Sequence, residues 1–199
     1  MYIIRADGNT AIGMGHVMRC LSIADAMKDR NIEPLFMTAD NDCAAMIEDR
    51  GFEACVLGTD YRDMESELPL IREFLRQRTK DVDASSVILV DSYQATSGYY
   101  EELRTMAKVA CLEDMGQSYP VDLLINYNIY GPKLVYDNKI THATLLGTGY
   151  QPLRREFQQD IQYDINDKIT DVMITTGGSD PYFAARAFTD TFLSEKELE

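Results

Sequence analysis

The sequence contains no tryptophan and only two histidines, and its basic residues are far outnumbered by acidic ones. Its 19 lysine and arginine residues face 33 aspartate and glutamate residues, which gives a formal net charge of −14. This balance excludes the broad basic face that binding to nucleic acid requires, so we expect no nucleic-acid partner. An anionic ligand would have to be held locally, by backbone N–H groups at helix N-termini and by a few arginines.

Long hydrophobic runs are also lacking. None approaches the roughly 20 residues that cross a bilayer, and Met1 to Asp7 have the pattern of a strand rather than of a signal peptide. We therefore expect a cytoplasmic protein with no membrane partner. The hydrophobic content of 45% in 199 residues is sufficient for a packed core.

The four cysteines form no C-x-x-C pair, and each lies in an apolar segment: Cys20, Cys43, Cys55 and Cys111. Zinc sites need clustered ligands, and disulfides need an oxidising compartment. Buried, reduced thiols are therefore the preferred interpretation.

Short β-rich runs alternate with segments of helical period. The predicted strands are Tyr2 to Ala6, Pro34 to Ala39, Ala54 to Leu57, Val87 to Asp91, Val109 to Leu112, Leu123 to Asn126 and Thr144 to Leu146. Helices are predicted around Val17 to Met27, Ala44 to Glu48 and Leu68 to Leu75. Because several strands are almost continuously apolar, the pattern predicts an α/β fold with a doubly wound, mainly parallel sheet.

The composition becomes polar and charged after residue 150, which predicts three parts. Residues 1–150 form the first α/β domain, and residues 151–170 form an interdomain connection. Residues 171–199 form one β-turn-α unit, with a strand from Asp171 to Thr175 and a helix from Ala184 to Phe192. One such unit cannot bury its own apolar face, so it either extends the first sheet or begins a truncated second domain.

The same unit predicts an interaction surface. Phe183, Phe188 and Phe192 would be exposed in an incomplete domain, and exposed apolar side chains favour self-association.

A glycine-rich motif joins the first strand to the first helix. Arg5-Ala6-Asp7-Gly8 ends the strand, and Gly13-Met14-Gly15-His16-Val17-Met18-Arg19-Cys20 begins the helix. Glycines allow close approach of a ligand, and the free N–H groups of a helix start favour an anion or a polarised sugar oxygen. The dinucleotide fingerprint is not met, because Met18 stands where its third glycine belongs.

His16 is the strongest catalytic candidate from the residues alone. The dipole at a helix start disfavours the imidazolium form, and a neutral ring that can accept a proton is what a general base requires. The alternative is a structural hydrogen bond at the helix start.

Other polar groups follow the strands at the carboxyl edge, where parallel sheets bind ligands. Asp91-Ser92-Tyr93 could orient the histidine or cap the next helix. Glu113-Asp114 and Asn126-Tyr127-Asn128 offer hydrogen-bonding groups suited to sugar hydroxyls. Gly177-Gly178-Ser179 could bind a diphosphate or form an ordinary βα turn.

In this order, the motifs R-A-D-G, G-M-G-H-V-M-R-C, D-S-Y, E-D, L-L-I-N-Y-N, L-L-G-T-G-Y-Q-P-L-R-R-E-F and T-G-G-S-D-P form a specific combination. The sequence resembles the UDP-sugar hydrolases of pseudaminic acid biosynthesis and their relatives in spore-coat polysaccharide biosynthesis, which are similar to the GT-B superfamily. The resemblance covers essentially the whole chain and the first part of a family member. It implies a Rossmann-like sugar-binding domain over residues 1–150 and the start of a nucleotide-binding domain over 171–199.

The resemblance further implies hydrolysis of UDP-2,4-diacetamido-2,4,6-trideoxy-β-L-altropyranose at the sugar C1–O bond, without a metal or other cofactor. It implies that His16 activates water and that Tyr93 lines the sugar site. Gly13 and Gly15 match the loop near the diphosphate. The turn on the phosphate side of the second domain is matched by Gly177, Gly178 and Ser179. Substrate positioning or support is implied for Asp7, Arg19, Asp91, Asp114 and Asn126.

Two alternatives stay open at this point. An inverting GT-B glycosyltransferase would transfer the same kind of sugar to an acceptor. A non-catalytic fragment would only bind a sugar nucleotide or fold.

Overall fold

The computed structural model describes residues 1–78, 86–159, 162, 165, 167–176, 180 and 182–194. Its centre is a seven-stranded sheet in the order β3-β2-β1-β4-β5-β6-β7, and every neighbouring pair is parallel. The strands are β1 (Tyr2–Ala6), β2 (Leu35–Thr38), β3 (Glu53–Val56), β4 (Val87–Asp91), β5 (Lys108–Leu112), β6 (Leu123–Asn126) and β7 (Thr144–Leu146). The prediction of a doubly wound, parallel α/β fold is therefore confirmed.

Helices connect most of the strands. The connecting helices are α1 (Gly15–Lys28), α2 (Ala44–Asp49), α3 (Leu68–Arg78) and α4 (Ser97–Arg104), and α5 (Ala184–Ser194) follows the last strand. A 3₁₀ turn at Met64–Glu67 leads into α3. Helix α4 begins after Thr96, whose side chain accepts a hydrogen bond from the backbone N–H of Tyr99 at 3.0 Å. Neither Asp91 nor Ser92 is the cap of this helix, so that alternative for Asp91 is wrong.

Two hydrophobic cores lie on opposite faces of the sheet. Ile3 points into the core that contains residues of α3 and α4, whereas Ile4 points into the core that contains residues of α1 and α2. Successive side chains of a strand point to opposite faces, so β1 is buried on both sides. Each fully buried isoleucine contributes about 1.5–3 kcal/mol relative to an exposed one.

The topology has a switch point between β1 and β4. The chain passes from β1 outward to β3 and then returns to the other side of β1, where Ala6 pairs with Asp91. Crossover helices leave from the carboxyl ends of these two strands in opposite directions, and the crevice that results is where doubly wound sheets bind ligands.

The region after residue 150 differs in part from its prediction. The strand predicted from Asp171 to Thr175 is wrong, because residues 171–176 are irregular. The seven-stranded sheet does not include this segment. The predicted helix is present as α5, and none of its residues is buried.

The predicted exposure of the three phenylalanines is confirmed. The exposed fractions of Phe183, Phe188 and Phe192 are 73%, 64% and 39%. Within the described part of the chain, no helix combines the length and the apolar character that crossing a membrane requires.

Candidate active site

His16 and Asp91 meet at the switch point. His16 is the second residue of α1, and Asp91 is the last residue of β4. Nδ1 of His16 lies 2.7 Å from Oδ1 of Asp91. Asp91 therefore orients the histidine, which is the first of the two alternatives that the sequence left open for Asp91.

The ionisation of Asp91 fixes the tautomer of His16. Burial by itself raises the pKa of Asp91, but hydrogen bonds from Arg19 and His16 outweigh it and hold that pKa below its usual range. An ionised carboxylate only accepts hydrogen bonds, so Nδ1 of His16 must carry the proton. In the neutral form of this ring the lone pair is therefore on Nε2, which is the arrangement a general base needs.

Arg19 binds the same carboxylate. Its Nε and one terminal nitrogen donate to the two oxygens of Asp91, and its other terminal nitrogen donates to the hydroxyl of Tyr127 at 2.9 Å. Burial lowers the pKa of Arg19, but the hydrogen bond and the negative charge of Asp91 together raise it by more than burial lowers it. The guanidinium therefore stays charged. Of the two roles the resemblance implied for Arg19, positioning or support, the structure favours support.

Tyr93 forms the exposed rim beside the base. Its ring stands edge-on to the imidazole of His16, with centroids 4.8 Å apart, and 60% of the residue is exposed. Its hydroxyl donates to Oδ2 of Asp114 at 2.8 Å. Partial burial and this hydrogen bond raise the pKa of Tyr93 to about 12, so the hydroxyl stays protonated. The exposed ring offers an apolar face to a sugar.

Asp114 lies next to this rim. Its Oδ2 is 3.7 Å from a terminal nitrogen of Arg19, and its Oδ1 is buried with no hydrogen-bond partner in the structure. The structure thus brings Asp114 together with Arg19, Tyr93 and, through Arg19, Asp91.

Asp7 is near the same edge but is already engaged. Its Oδ1 accepts from the backbone N–H of Ala39 at 2.7 Å, and its Oδ2 accepts from Arg5 at 2.6 Å. Arg5 also binds Glu67 through two nitrogens, and the hydroxyl of Tyr99 donates to Glu67 at 2.7 Å. Asp7 therefore supports the end of β1 as part of a buried ionic cluster.

The sequence interpretation missed this cluster, because Glu67 and Tyr99 lie far along the chain from Arg5. One signal could have indicated it. An arginine in the middle of an apolar strand needs a buried acidic partner, but the sequence does not say which one.

Asn126 is fully buried and its amide is occupied. Its Nδ2 donates to the hydroxyl of Tyr136 at 2.9 Å, and its Oδ1 accepts from the backbone N–H of Asn128 at 3.0 Å. The Tyr136 hydroxyl in turn donates to Glu113 at 2.6 Å. Asn126 therefore shapes the loop after β6, which favours support over direct contact with a ligand.

The glycine-rich loop is open. Gly13 has φ +74°, a conformation that favours glycine, and a Cβ placed at Gly13 or Gly15 would meet no atom within 4 Å. At Gly8, by contrast, a Cβ would lie 2.9 Å from the sulfur of Met14. A ligand can therefore approach the backbone around Gly13 and Gly15. Gly177, Gly178 and Ser179 lie outside the described residues.

His16 is buried, with 8% of the residue exposed, and the exposed ring of Tyr93 stands beside it. Two cavities of about 640 and 390 Å³ lie between α1 and residues 150–158, and their linings include none of the predicted site residues. Among the residues that the structure describes, no three His, Cys, Asp or Glu side chains are grouped as a metal ion would need. The arrangement can orient one imidazole as a base next to an exposed aromatic ring and an open glycine loop.

Comparison with known proteins gives a distant relative. No family model matches the chain. The chain is 25% identical over 191 residues to the uncharacterized protein MJ1062 of Methanocaldococcus jannaschii, a match that covers 89% of the chain. The match covers 37% of that protein's length, so the chain spans little more than a third of this relative.

Proposed function

We propose that this chain carries the sugar-facing part of a UDP-sugar hydrolase in which His16 is the general base. The observation that supports this most is the contact between Nδ1 of His16 and Asp91, because in the neutral ring it puts on Nε2 the lone pair that would accept a proton from water. The water then attacks C1 of the sugar, the C1–O bond breaks, and UDP leaves with the electron pair.

Hydrolysis of a UDP-sugar requires mainly the placement of a water molecule and the transfer of its proton. UDP is a good leaving group, so the protein must hold a water near C1, accept its proton and support charge on the departing phosphate. A positioned general base contributes roughly 10²- to 10⁴-fold to the rate.

The remaining site residues are given roles that fit their positions. Tyr93 lines the sugar, since its ring is exposed beside His16. Gly13 and Gly15 lie near the diphosphate, where an open loop and the N–H groups at the start of α1 favour a negative charge. Gly177, Gly178 and Ser179 serve the phosphate side of a second domain.

The wider setting follows from the sequence resemblance. We place the enzyme in the cytoplasm, in nonulosonate or spore-coat polysaccharide biosynthesis, with a GT-B arrangement of two domains and the sugar nucleotide between them. Its substrate would be UDP-2,4-diacetamido-2,4,6-trideoxy-β-L-altropyranose or a related UDP-sugar.

Incubation of the full-length protein with this UDP-sugar, and with no acceptor, tests the proposal. A hydrolase releases free sugar and UDP at equal rates. His16→Asn should remove most of this release, whereas His142→Asn, which changes an exposed histidine, should not. If the UDP-sugar is consumed only after an acceptor is added, the protein is a glycosyltransferase instead. An intact donor under both conditions, with UDP still bound, would identify a binding protein.

A further inference from the structure

The guanidinium of Arg19 lies against the base as well as against Asp91. One terminal nitrogen of Arg19 is 2.9 Å from Nδ1 of His16, and the same nitrogen donates to Oδ1 of Asp91. Because Nδ1 carries a proton toward Asp91, Arg19 and His16 are two donors that share one acceptor. The contact between them is therefore not a hydrogen bond, and a fixed positive charge adjoins the imidazole.

Arg19 already compensates Asp91, the carboxylate that contacts the imidazole, while the imidazole is neutral. The side chain of Asp91 is only 1% exposed, so an imidazolium would add a second cation beside one buried carboxylate. Interactions between charges at this depth are screened weakly. The start of α1 also disfavours a cation at His16.

The other titratable groups do not reverse this balance. They are the Cys20 thiol at 3.6 Å from Asp91, the rings of Tyr93 and Tyr127, and the carboxylate of Asp114. Burial raises the pKa of Cys20, so its thiol stays neutral. Tyr93 also stays neutral. The contact described for Asp114 is to Arg19 and to Tyr93, rather than to the imidazole.

We propose that Arg19 is a positioning residue that keeps His16 unprotonated, by neutralising Asp91 and by repelling the imidazolium form. Asp91 alone would orient the imidazole but would also stabilise its protonated, inactive form. With Arg19 present, the base keeps its orientation without that stabilisation. The catalytic meaning of this inference rests on the proposed function, whereas the electrostatic effect does not.

A purely structural role for Arg19 would give a different pH dependence of activity. If Arg19 only held Asp91 in place, its loss would lower activity at every pH by a similar factor. If it controls protonation, its loss moves the acid limb of the activity profile to higher pH. Arg19→Lys, which keeps the positive charge but loses the bidentate pairing with Asp91, should move the acid limb less than Arg19→Gln does.

An NMR titration of the histidines tests the effect without substrate. The chain has two histidines, so His16 and the exposed His142 are assigned with His142→Asn, and His142 serves as an internal control. In wild type, His16 should titrate no higher than His142 despite its contact with Asp91. In Arg19→Gln, the midpoint for His16 should rise by about one pH unit or more, and that for His142 should not move.

Two results would overturn the inference. One is an unchanged midpoint for His16 in a folded Arg19→Gln protein. The other, which needs no change at Arg19, is a wild-type His16 that titrates a unit or more above His142. Because the titration is read on the free protein, absence of hydrolysis would contradict the proposed function and leave the titration result standing.

Discussion

Nδ1 of His16 and Oδ1 of Asp91 are 2.7 Å apart although the two residues are 75 positions apart in the sequence. The contact joins the start of α1 to the end of β4 across the switch point of the sheet. Each residue is placed by the fold, since β1 and β4 are adjacent and parallel and α1 follows β1. A histidine and the carboxylate that orients it are thus brought together from two crossover units.

Replacing Asp91 by asparagine should remove most of the hydrolysis. The amide can donate to Nδ1 and so favours the other tautomer, which takes the lone pair from Nε2, and we expect kcat to fall by roughly 10²- to 10⁴-fold. The measurement is kcat with the UDP-sugar. The control is Asp60→Asn, which changes an exposed aspartate away from the site. Equal activity in both variants would contradict the role of Asp91.

Replacing Glu67 by glutamine tests the buried ionic cluster. Arg5 and Glu67 are both 0% exposed, and removal of one partner from a buried pair costs roughly 3–5 kcal/mol because the other charge is left uncompensated. We expect a loss of that order in the free energy of unfolding, measured with urea. Glu73→Gln removes an exposed pair with Arg76 and should change the stability little. Similar stabilities for the two variants would show that the cluster contributes nothing.

The two glycines of the loop should respond differently to alanine. Gly13→Ala forces an alanine into φ +74°, which costs about 1–2 kcal/mol. Gly15→Ala meets open space at the first residue of α1, so no loss of stability is expected. If a diphosphate approaches this loop, however, Gly15→Ala should raise KM for the UDP-sugar. A Gly15→Ala protein with unchanged KM would place the diphosphate elsewhere.

The contributions of the ring and of the hydroxyl of Tyr93 can be tested separately with two variants. Tyr93→Phe keeps the ring beside His16 and loses the hydrogen bond to Asp114, whose net contribution is about 0.5–1.5 kcal/mol, so we expect less than about a tenfold loss in kcat/KM. Tyr93→Ala also removes the surface for the sugar and should raise KM much further. If the two variants behave alike in steady-state kinetics, the ring does not contact substrate.

The sequence predicted the sheet well because its strands are apolar runs with clear ends. The bounds of β1, β4, β6 and β7 agree with prediction residue for residue, and the largest strand error is one residue at each end, in β2 and in β3. The strand at 171–175 failed because an apolar pattern indicates that a segment can pair and does not supply its neighbour.

The site was predictable only in part. Strand ends and the glycine turn indicated that His16, Asp91 and Tyr93 share one edge. Which polar groups are used internally depends on partners that are distant in the sequence. The sequence therefore left the choice between positioning and support open for Arg19 and Asn126.

Turnover and UDP binding of His16→Asn in the full-length protein, measured side by side, test the central claim most directly. The account predicts a loss of roughly 10²- to 10⁴-fold in turnover with UDP affinity largely intact, because a base acts on water and not on the nucleotide. Undiminished turnover, or a loss of UDP affinity as large as the loss of turnover, would contradict it.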